Sequence, residues 1–484
     1  MTSGAASMGG PANGHADAPR GALKFEPRVE LPASDEEAFA WHDRPGAFER
    51  LTPPFEPAEV VAREGQGIRD GARVTLKVGP GPLRPTLVAH HSGYDPPRAF
   101  VDTQERGPFA HWRHEHRFEP RVDGGSVLTD SIRYRLPLQA LSAPIAGGFV
   151  RRKLDAMFRY RHATTVADLT AHGAARAALE PRGQWPLRVL ISGASGLIGS
   201  ALCAYLTTGG HAVHRLVRRE PRGTDEVRWN AMRGEVDPAD VSGYDVVIHL
   251  AGAGIADKRW SEARMALIRD SRTVGTRALA EALARAEAKP RVFLSSSAVG
   301  VYGDRGDEEL TEDSSQGEGF LADVGREWEA AADPARAAGI RVVHPRTGLV
   351  LSPAGGTLGK LLPPFRFGVG GPLGRGRMYM PWIGIDDMLD GFLHCIVRED
   401  LEGGVNFCAP TPERNADLSK TLARVLRRPC LFPVPPFVLR LMFGELADAA
   451  LFASTRALPA RLLESGYRFR HADLEPCLRH VLGR

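Results

Sequence analysis

No two of the five cysteines in this 484-residue chain are spaced C-x-x-C, and all five (Cys203, Cys395, Cys408, Cys430, Cys477) lie after residue 187. A disulfide framework and a zinc knuckle are therefore both unexpected, and the chemistry fits a reducing, cytoplasmic compartment. The chain also lacks an apolar run of eighteen residues. Its greasiest stretch, residues 431–452, is broken by prolines and by Arg440, Glu445 and Asp448, which suits a docked subdomain, or else a membrane-facing patch, and not a spanning helix. Strong charge of one sign is missing as well. Sixty-two basic residues stand against 58 acidic ones, a formal net charge of +4 with no basic tract. That balance gives no footprint for nucleic acid. The first residues are rich in Gly, Ala, Ser and Pro without an apolar core. Residues 1–23 therefore read as a disordered tail and not a signal peptide.

Two regions of different character follow. Residues 24–172 are β-rich. Alternating runs appear at residues 73–78, 86–90 and 126–134. A short helix is expected at 35–41, capped by Ser34 with Glu37 three residues on. A longer amphipathic one is expected at 145–161, with Val150, Leu154, Met157 and Phe158 on its apolar stripe. This order describes an α+β helix-grip domain: a curved sheet holding a final helix around an apolar cavity. Residues 173–186 read as a linker. From Leu187 strands alternate with helices. Strands are expected at 188–192, 212–217, 245–250, 291–295 and 341–344, and helices at 261–288 and 323–338. Such alternation means βαβ units and a doubly wound parallel α/β sheet of the Rossmann type. It spans residues 187–424, with a C-terminal module over 425–484. The two main modules are expected to fold separately.

The most informative segment is Leu187–Ser200, LRVLISGASGLIGS. An apolar β-branched strand runs into Gly193, Gly196 and Gly199, and a helical pattern opens at Leu197. Strand, glycine turn and helix N-terminus together hold a dinucleotide pyrophosphate. About twenty residues on, a carboxylate would select NAD through the ribose hydroxyls. Here the second strand ends in Arg218 and Arg219. Guanidinium pairs with phosphate, so the cofactor expected is NADP, with NADPH preferred over NADH.

Further landmarks agree in order: Val246–Gly252 (VVIHLAG), Leu294–Gly303 (LSSSAVGVYG), Pro345–Leu351 (PRTGLVL) and Trp382–Asp387 (WIGIDD). With them, residues from 187 almost to the C-terminus resemble the extended short-chain dehydrogenase/reductases. KRWS at 258–261, DSR at 270–272, WEAA at 328–331 and PPF at 363–365 narrow the likeness to atypical "epimerase family" oxidoreductases, NAD-dependent epimerase/dehydratase-like. Residues 459–469 resemble that family's C-terminal module of unknown function. FAWH at 39–42, LTPPF at 51–55 and GPFAHW at 107–112 resemble a START/polyketide-cyclase-like (SRPBCC) domain. The fingerprint and the resemblance together place the cofactor against Gly193, Ser195, Gly196, Leu197, Ile198, Gly199, Arg218, Arg219, Leu250, Ala251, Gly252, Arg272 and Ser296.

The chemistry of this superfamily uses a Tyr with a Lys four residues later. None of the eight tyrosines here is followed by Lys at that position. The matching stretch offers Phe320 and Val324. Candidate proton donors are Ser297, Tyr302 and Asp323, with Glu327 beside them. The resulting expectation is an NADP-dependent oxidoreductase or epimerase-like enzyme acting on a small molecule. Its rival is a non-catalytic NADP(H)-dependent sensor or scaffold with a lipid-like or aromatic ligand in the N-terminal domain. A homodimer stays open. His111, His114 and His116 fall close together, and the last two share a strand face. No third ligand stands at a fixed spacing, so no metal site is assigned.

Overall fold

A computed structural model describes residue 19, residues 21–79 and residues 84–484, so the expected N-terminal tail falls almost wholly outside the described residues. The first module is an eight-stranded antiparallel sheet with helices on one face. Its strands are β1 (Leu23–Phe25), β2 (Arg28–Leu31), β3 (Ala58–Glu64), β4 (Arg73–Val78), β5 (Thr86–Asp95), β6 (Ala99–Arg106), β7 (His111–Pro120) and β8 (Ser126–Arg135). They follow the order β1-β8-β7-β6-β5-β4-β3, with β2 also on β8. Helices α1 (Asp35–Asp43) and α2 (Ala47–Leu51) interrupt the strands, and Ser34 caps α1 by accepting from the Glu37 amide. A 41-residue helix, α3 (Gln139–Leu179), closes the grip.

Helix α3 corrects two expectations. It does not end at residue 161, and most of 173–186 is not a linker. Its later turns carry Thr164, Thr165, Asp168 and His172, all buried. Buried polar residues break the apolar stripe there; Asp168 and His172 meet Arg470 and Tyr205 of the second module. The interior of the grip also differs from the apolar cavity expected. Beside Phe100, Phe118 and Phe158 it holds Asp130, His114 and His116, all buried. His111 lies on the other face of β7, by strand alternation.

The second module begins with β9 (Arg188–Ser192), α4 (Leu197–Thr208), β10 (Ala212–Val217), β11 (Glu226–Arg228), β12 (Val246–His249), α5 (Glu262–Arg285) and β13 (Val292–Ser295). Short β14 (Ser297–Ala298) and β15 (Glu309–Leu310) precede α6 (Phe320–Ala330), α7 (Asp333–Ala337) and β16 (Arg341–Thr347). The strands run β11-β10-β9-β12-β13-β16-β14, with a late strand, Gly403–Phe407, also on β16. Numbered from β9, the core order is 3-2-1-4-5-6, the doubly wound dinucleotide-binding arrangement. β9, β12 and β13 are buried on both faces, as the apolar runs Val189-Leu190-Ile191 and Val246-Val247-Ile248 demand.

The modules are fused and not merely joined. Ala175 and Leu179 of α3 sit in the same apolar cluster as Val189, Leu202, Leu206 and Phe392. Gly46 (φ +95°) approaches α4 so closely that a Cβ there would lie 2.5 Å from the Ala204 carbonyl oxygen. Arg50 of α2, 5 % exposed, pairs with Asp168 (2.8 Å) and Asp386 (2.9 Å). Arg470 bonds the same Asp168 (2.9 Å) and Asp390 (2.7 Å). The two modules, expected to fold separately, thus share buried apolar and charged contacts across this seam.

Candidate nucleotide site

The strand order of the parallel sheet reverses between β9 and β12, and there the glycine turn lies. Gly193 takes φ +70°, and a Cβ on it would sit 2.7 Å from the Leu250 carbonyl carbon. A Cβ on Gly199 would fall 2.2 Å from the Gly193 carbonyl oxygen. Both glycines are thus demanded by packing within the protein. Gly196 differs. Its Cβ would meet only the Gly193 oxygen, at 3.3 Å, and then open space. Ser195 and Gly196 are exposed, Leu197 and Ile198 half-buried. No side chain caps α4. Its first amides therefore face outward without a helical acceptor, a fitting cradle for an anion.

Two arginines end β10, and the structure separates them. Arg219 is locked to Glu226: Nη1 donates to Oε2 (2.7 Å) and Nη2 to Oε1 (2.6 Å). That pairing holds the Glu226 carboxyl at about 2, mainly through the Arg219 hydrogen bonds. Arg218 is exposed and has no such partner among the described residues. Glu226 was invisible as a partner until β11 paired in parallel with β10.

Along the floor, the Ser296 amide donates to the His249 carbonyl (3.0 Å), and the Leu250 amide to Ser192 Oγ (3.2 Å). Ser192 Oγ and His249 Nδ1 share a 2.6 Å hydrogen bond. Burial pushes the His249 imidazole down to about 4, so it is neutral. Leu250, Ala251 and Gly252 follow as the loop above the sheet. Arg272 braces that loop. Its Nη1 donates to the Ala253 and Ile268 carbonyls (both 3.0 Å), over the Trp328 ring at 5.0 Å. Burial, with help from Arg264, lowers the Arg272 guanidinium to about 10.

The candidate acids fall into two groups. Tyr302 is fully buried. Its hydroxyl donates to Asn406 Oδ1 (2.8 Å) and accepts from Arg346 Nη1 (2.9 Å). Ser297, 2 % exposed, donates to Glu329 Oε1 (2.7 Å), and Glu329 is chelated by Arg346 (2.8 and 3.0 Å). Ser297 and Tyr302 are thus two ends of one internal network. Both hydroxyls, the expected proton donors, already have partners inside the protein. Glu329 and Arg346 were the residues missed; their roles depend on α6 meeting β16. Asp323, half-buried, and Glu327, exposed, lie on α6 and are ion-paired with Arg326 (3.1 Å) and Arg269 (3.2 Å). Val324 is buried, while Phe320 packs its ring 5.1 Å from Trp260.

Comparison with known proteins agrees with this geometry. The NAD dependent epimerase/dehydratase family matches residues 189–406. The polyketide cyclase / dehydrase and lipid transport family matches 31–159, and a domain of unknown function (DUF1731) matches 434–481. An epimerase family protein of Mycobacterium bovis is 41% identical over 296 residues, 61% of this chain and 98% of that protein. The human epimerase family protein SDR39U1 is 33% identical over 301 residues, 61% of this chain and 100% of its own. Among solved structures, a nucleoside-diphosphate sugar epimerase from Corynebacterium glutamicum superposes with TM-score 0.77 at 34% identity, covering 95% of this chain and 90% of that one. Human SDR39U1, solved with NADPH, gives TM-score 0.57 at 31% identity, covering 61% of this chain and 99% of that one. With 41% identity across nearly the whole of a relative, and the fingerprint of that fold in place at β9 and α4, the chain belongs to the epimerase family.

Proposed function

We propose that the chain binds NADP(H) at the β9–α4 turn, with the 2′-phosphate held by Arg218, as an oxidoreductase or epimerase-like protein of the short-chain dehydrogenase type. The observation that carries this is an exposed guanidinium at the end of β10, without a partner among the described residues, beside a glycine cradle open at Gly196. The solved human relative carries NADPH, which supports the choice of nucleotide. Arg219 serves the turn through Glu226 and not the ligand. The nucleotide supplies hydride when bound. The chain's part is to fix it over the β12 loop and to exclude a Tyr–Lys route, because Phe320 and Val324 stand where that pair would be. Protonation then falls to Asp323, Glu327 or water.

Titration calorimetry of the full chain tests this. NADPH is expected to bind more tightly than NADH. Arg218→Ala is expected to weaken NADPH by about 1.5–3 kcal/mol, the worth of a charged hydrogen bond, and to leave NADH unchanged. Equal affinity of the unmutated chain for the two nucleotides overturns the reading. A second reading, a non-catalytic nucleotide sensor, is favoured by the burial of Ser297 and Tyr302 in their network. A carbonyl panel that never oxidises bound NADPH would favour the sensor.

A further inference from the structure

The interior of the helix grip holds an arrangement that the nucleotide site does not explain. Register builds it. Asp102 on β6 stands opposite His114 on β7, and His116, two residues on, stands opposite Asp130 on β8. Alternation turns all four to the face covered by α3. The side chains of His114, His116 and Asp130 are 3–5 % exposed, and that of Asp102 is 20 % exposed.

Both imidazoles are oriented in the same sense. His114 Nδ1 lies 3.0 Å and His116 Nε2 3.5 Å from the same oxygen, Asp102 Oδ2. Their opposite nitrogens turn to Asp130 Oδ1, at 2.9 Å from His114 Nε2 and 2.8 Å from His116 Nδ1. The second of these contacts is off the hydrogen-bond line, so the buried His116 Nδ1 makes no hydrogen bond. Asp130 is anchored from outside by His162 Nε2, 2.7 Å from its other oxygen. The His116 ring stacks on Phe100 at 4.1 Å, and His114 meets Phe158 edge-on at 5.5 Å.

A plain polar core would scatter its hydrogen bonds. Here one nitrogen of each histidine converges with one carboxylate oxygen, all within 4.8 Å of one another. The other nitrogen of His114 hydrogen-bonds a second, outer carboxylate, Asp130, and that of His116 lies beside it. That is how metal-bound imidazoles are held: the outer carboxylate fixes the tautomer and raises ligand basicity. Two carboxylates buried among phenylalanines also demand positive charge held in place. Arg161 on α3 supplies part of it, being close enough to feel both.

We propose that Asp102, His114 and His116 bind a divalent cation, with Asp130 orienting the His114 imidazole from behind. Two imidazoles and a carboxylate suit zinc or a similar borderline ion and leave a coordination position for water or a small oxygen ligand. The assignment does not depend on the nucleotide reading.

The full chain, stripped with a chelator and dialysed, is titrated with Zn²⁺ in a calorimeter and with Co²⁺ in a spectrophotometer. One Zn²⁺ per chain is expected, together with intense visible cobalt bands of a four- or five-coordinate ion. His116→Ala and Asp102→Asn are expected to abolish saturable binding. Asp130→Asn should weaken it by roughly 10–100-fold, as loss of an outer-shell partner does. His111→Ala, on the opposite face of β7, should bind as the unmutated chain does. No stoichiometric Zn²⁺, or unchanged binding by His116→Ala and Asp102→Asn, overturns the proposal. Should those two variants lose their circular dichroism, the cobalt spectrum of the unmutated chain decides. Weak bands like those of the hexaaqua ion overturn the site, and intense ones sustain it.

Discussion

Arg218 and Arg219 are neighbours in sequence with different partners, and only the parallel pairing of β10 with β11 separates them. A residue pattern can say that two guanidiniums follow a strand. It cannot say that Glu226, arriving seven residues later, takes one of them. Tyr302 makes the same point. Its motif resembles an active-site strand, yet the hydroxyl is spent on Asn406 and Arg346 inside the protein. Tyr302→Phe is therefore expected to lower stability by about 1–3 kcal/mol, the cost of leaving buried polar partners unsatisfied, while NADPH affinity holds. Thermal melts and calorimetry on the same sample check this. A loss of nucleotide affinity with stability intact would place the hydroxyl at the ligand instead.

Among the elements, the glycine turn before α4 yields a paired test. Gly199→Ala would press a methyl into the Gly193 carbonyl region, where a Cβ comes to 2.2 Å. Helix and strand must then separate, so both the melting temperature and NADPH binding should fall. Gly196→Ala meets only one oxygen, at 3.3 Å, and otherwise fills the open cradle. Its melting temperature should change little, while NADPH binding weakens sharply. If Gly196→Ala binds NADPH normally, the pyrophosphate does not lie over this turn. The strands themselves were legible. Residues 73–78, 188–192 and 212–217 are strands with the bounds that their apolar β-branched runs imply. The helices were read less well where tertiary contact overrides pattern. The run expected at 323–338 is two helices, Phe320–Ala330 and Asp333–Ala337, and α3 extends eighteen residues past its apolar stripe because its later turns bury polar groups.

For the whole molecule, the seam between the modules decides behaviour. Arg50, Asp168, Asp386, Asp390 and Arg470 form one buried network across it. Removing one member of such a network leaves its partners uncompensated, at about 3–5 kcal/mol. Arg50→Ala should therefore lower the single melting transition of the full chain. A fragment starting near Gly183 loses Arg50, Asp168, Ala175 and Leu179 together, and should be insoluble or poorly folded. A soluble, cooperatively melting fragment would show that the network is dispensable. Acid should attack the same region. Burial holds His172 at about 4 and His211 at about 3, and His42 and His249 are lowered likewise to about 3 and about 4. Folded values below the ordinary 6.5 mean that the unfolded chain takes up protons first. The stability these groups confer is complete above pH 6.5 and is lost as pH falls toward 4. Asp387, raised to about 7 by burial, acts in the opposite direction, as do Asp390, Glu312 and Glu413, which burial also raises, while His394 and His471, lowered to about 4, add to the loss. The melting temperature should fall steadily from pH 7 to pH 5. A flat profile would mean that these imidazoles are not held neutral.

What the sequence determined by itself is the local order. Alternating and continuous apolar runs set the strands, the glycine spacing set the strand–turn–helix at residues 193–199, and no tyrosine is followed by Lys four places on. Each of these follows from neighbours along the chain, where geometry is fixed by backbone sterics and by period. Tertiary structure alone decided which groups are spent and which are free. It put Glu226 on Arg219, Glu329 on Ser297, Arg50 between Asp168 and Asp386, and Asp102 beside His114 and His116. In every case the partner lies on another strand or helix. Buried charge must be compensated by whatever the fold brings near, and sequence distance carries no record of that.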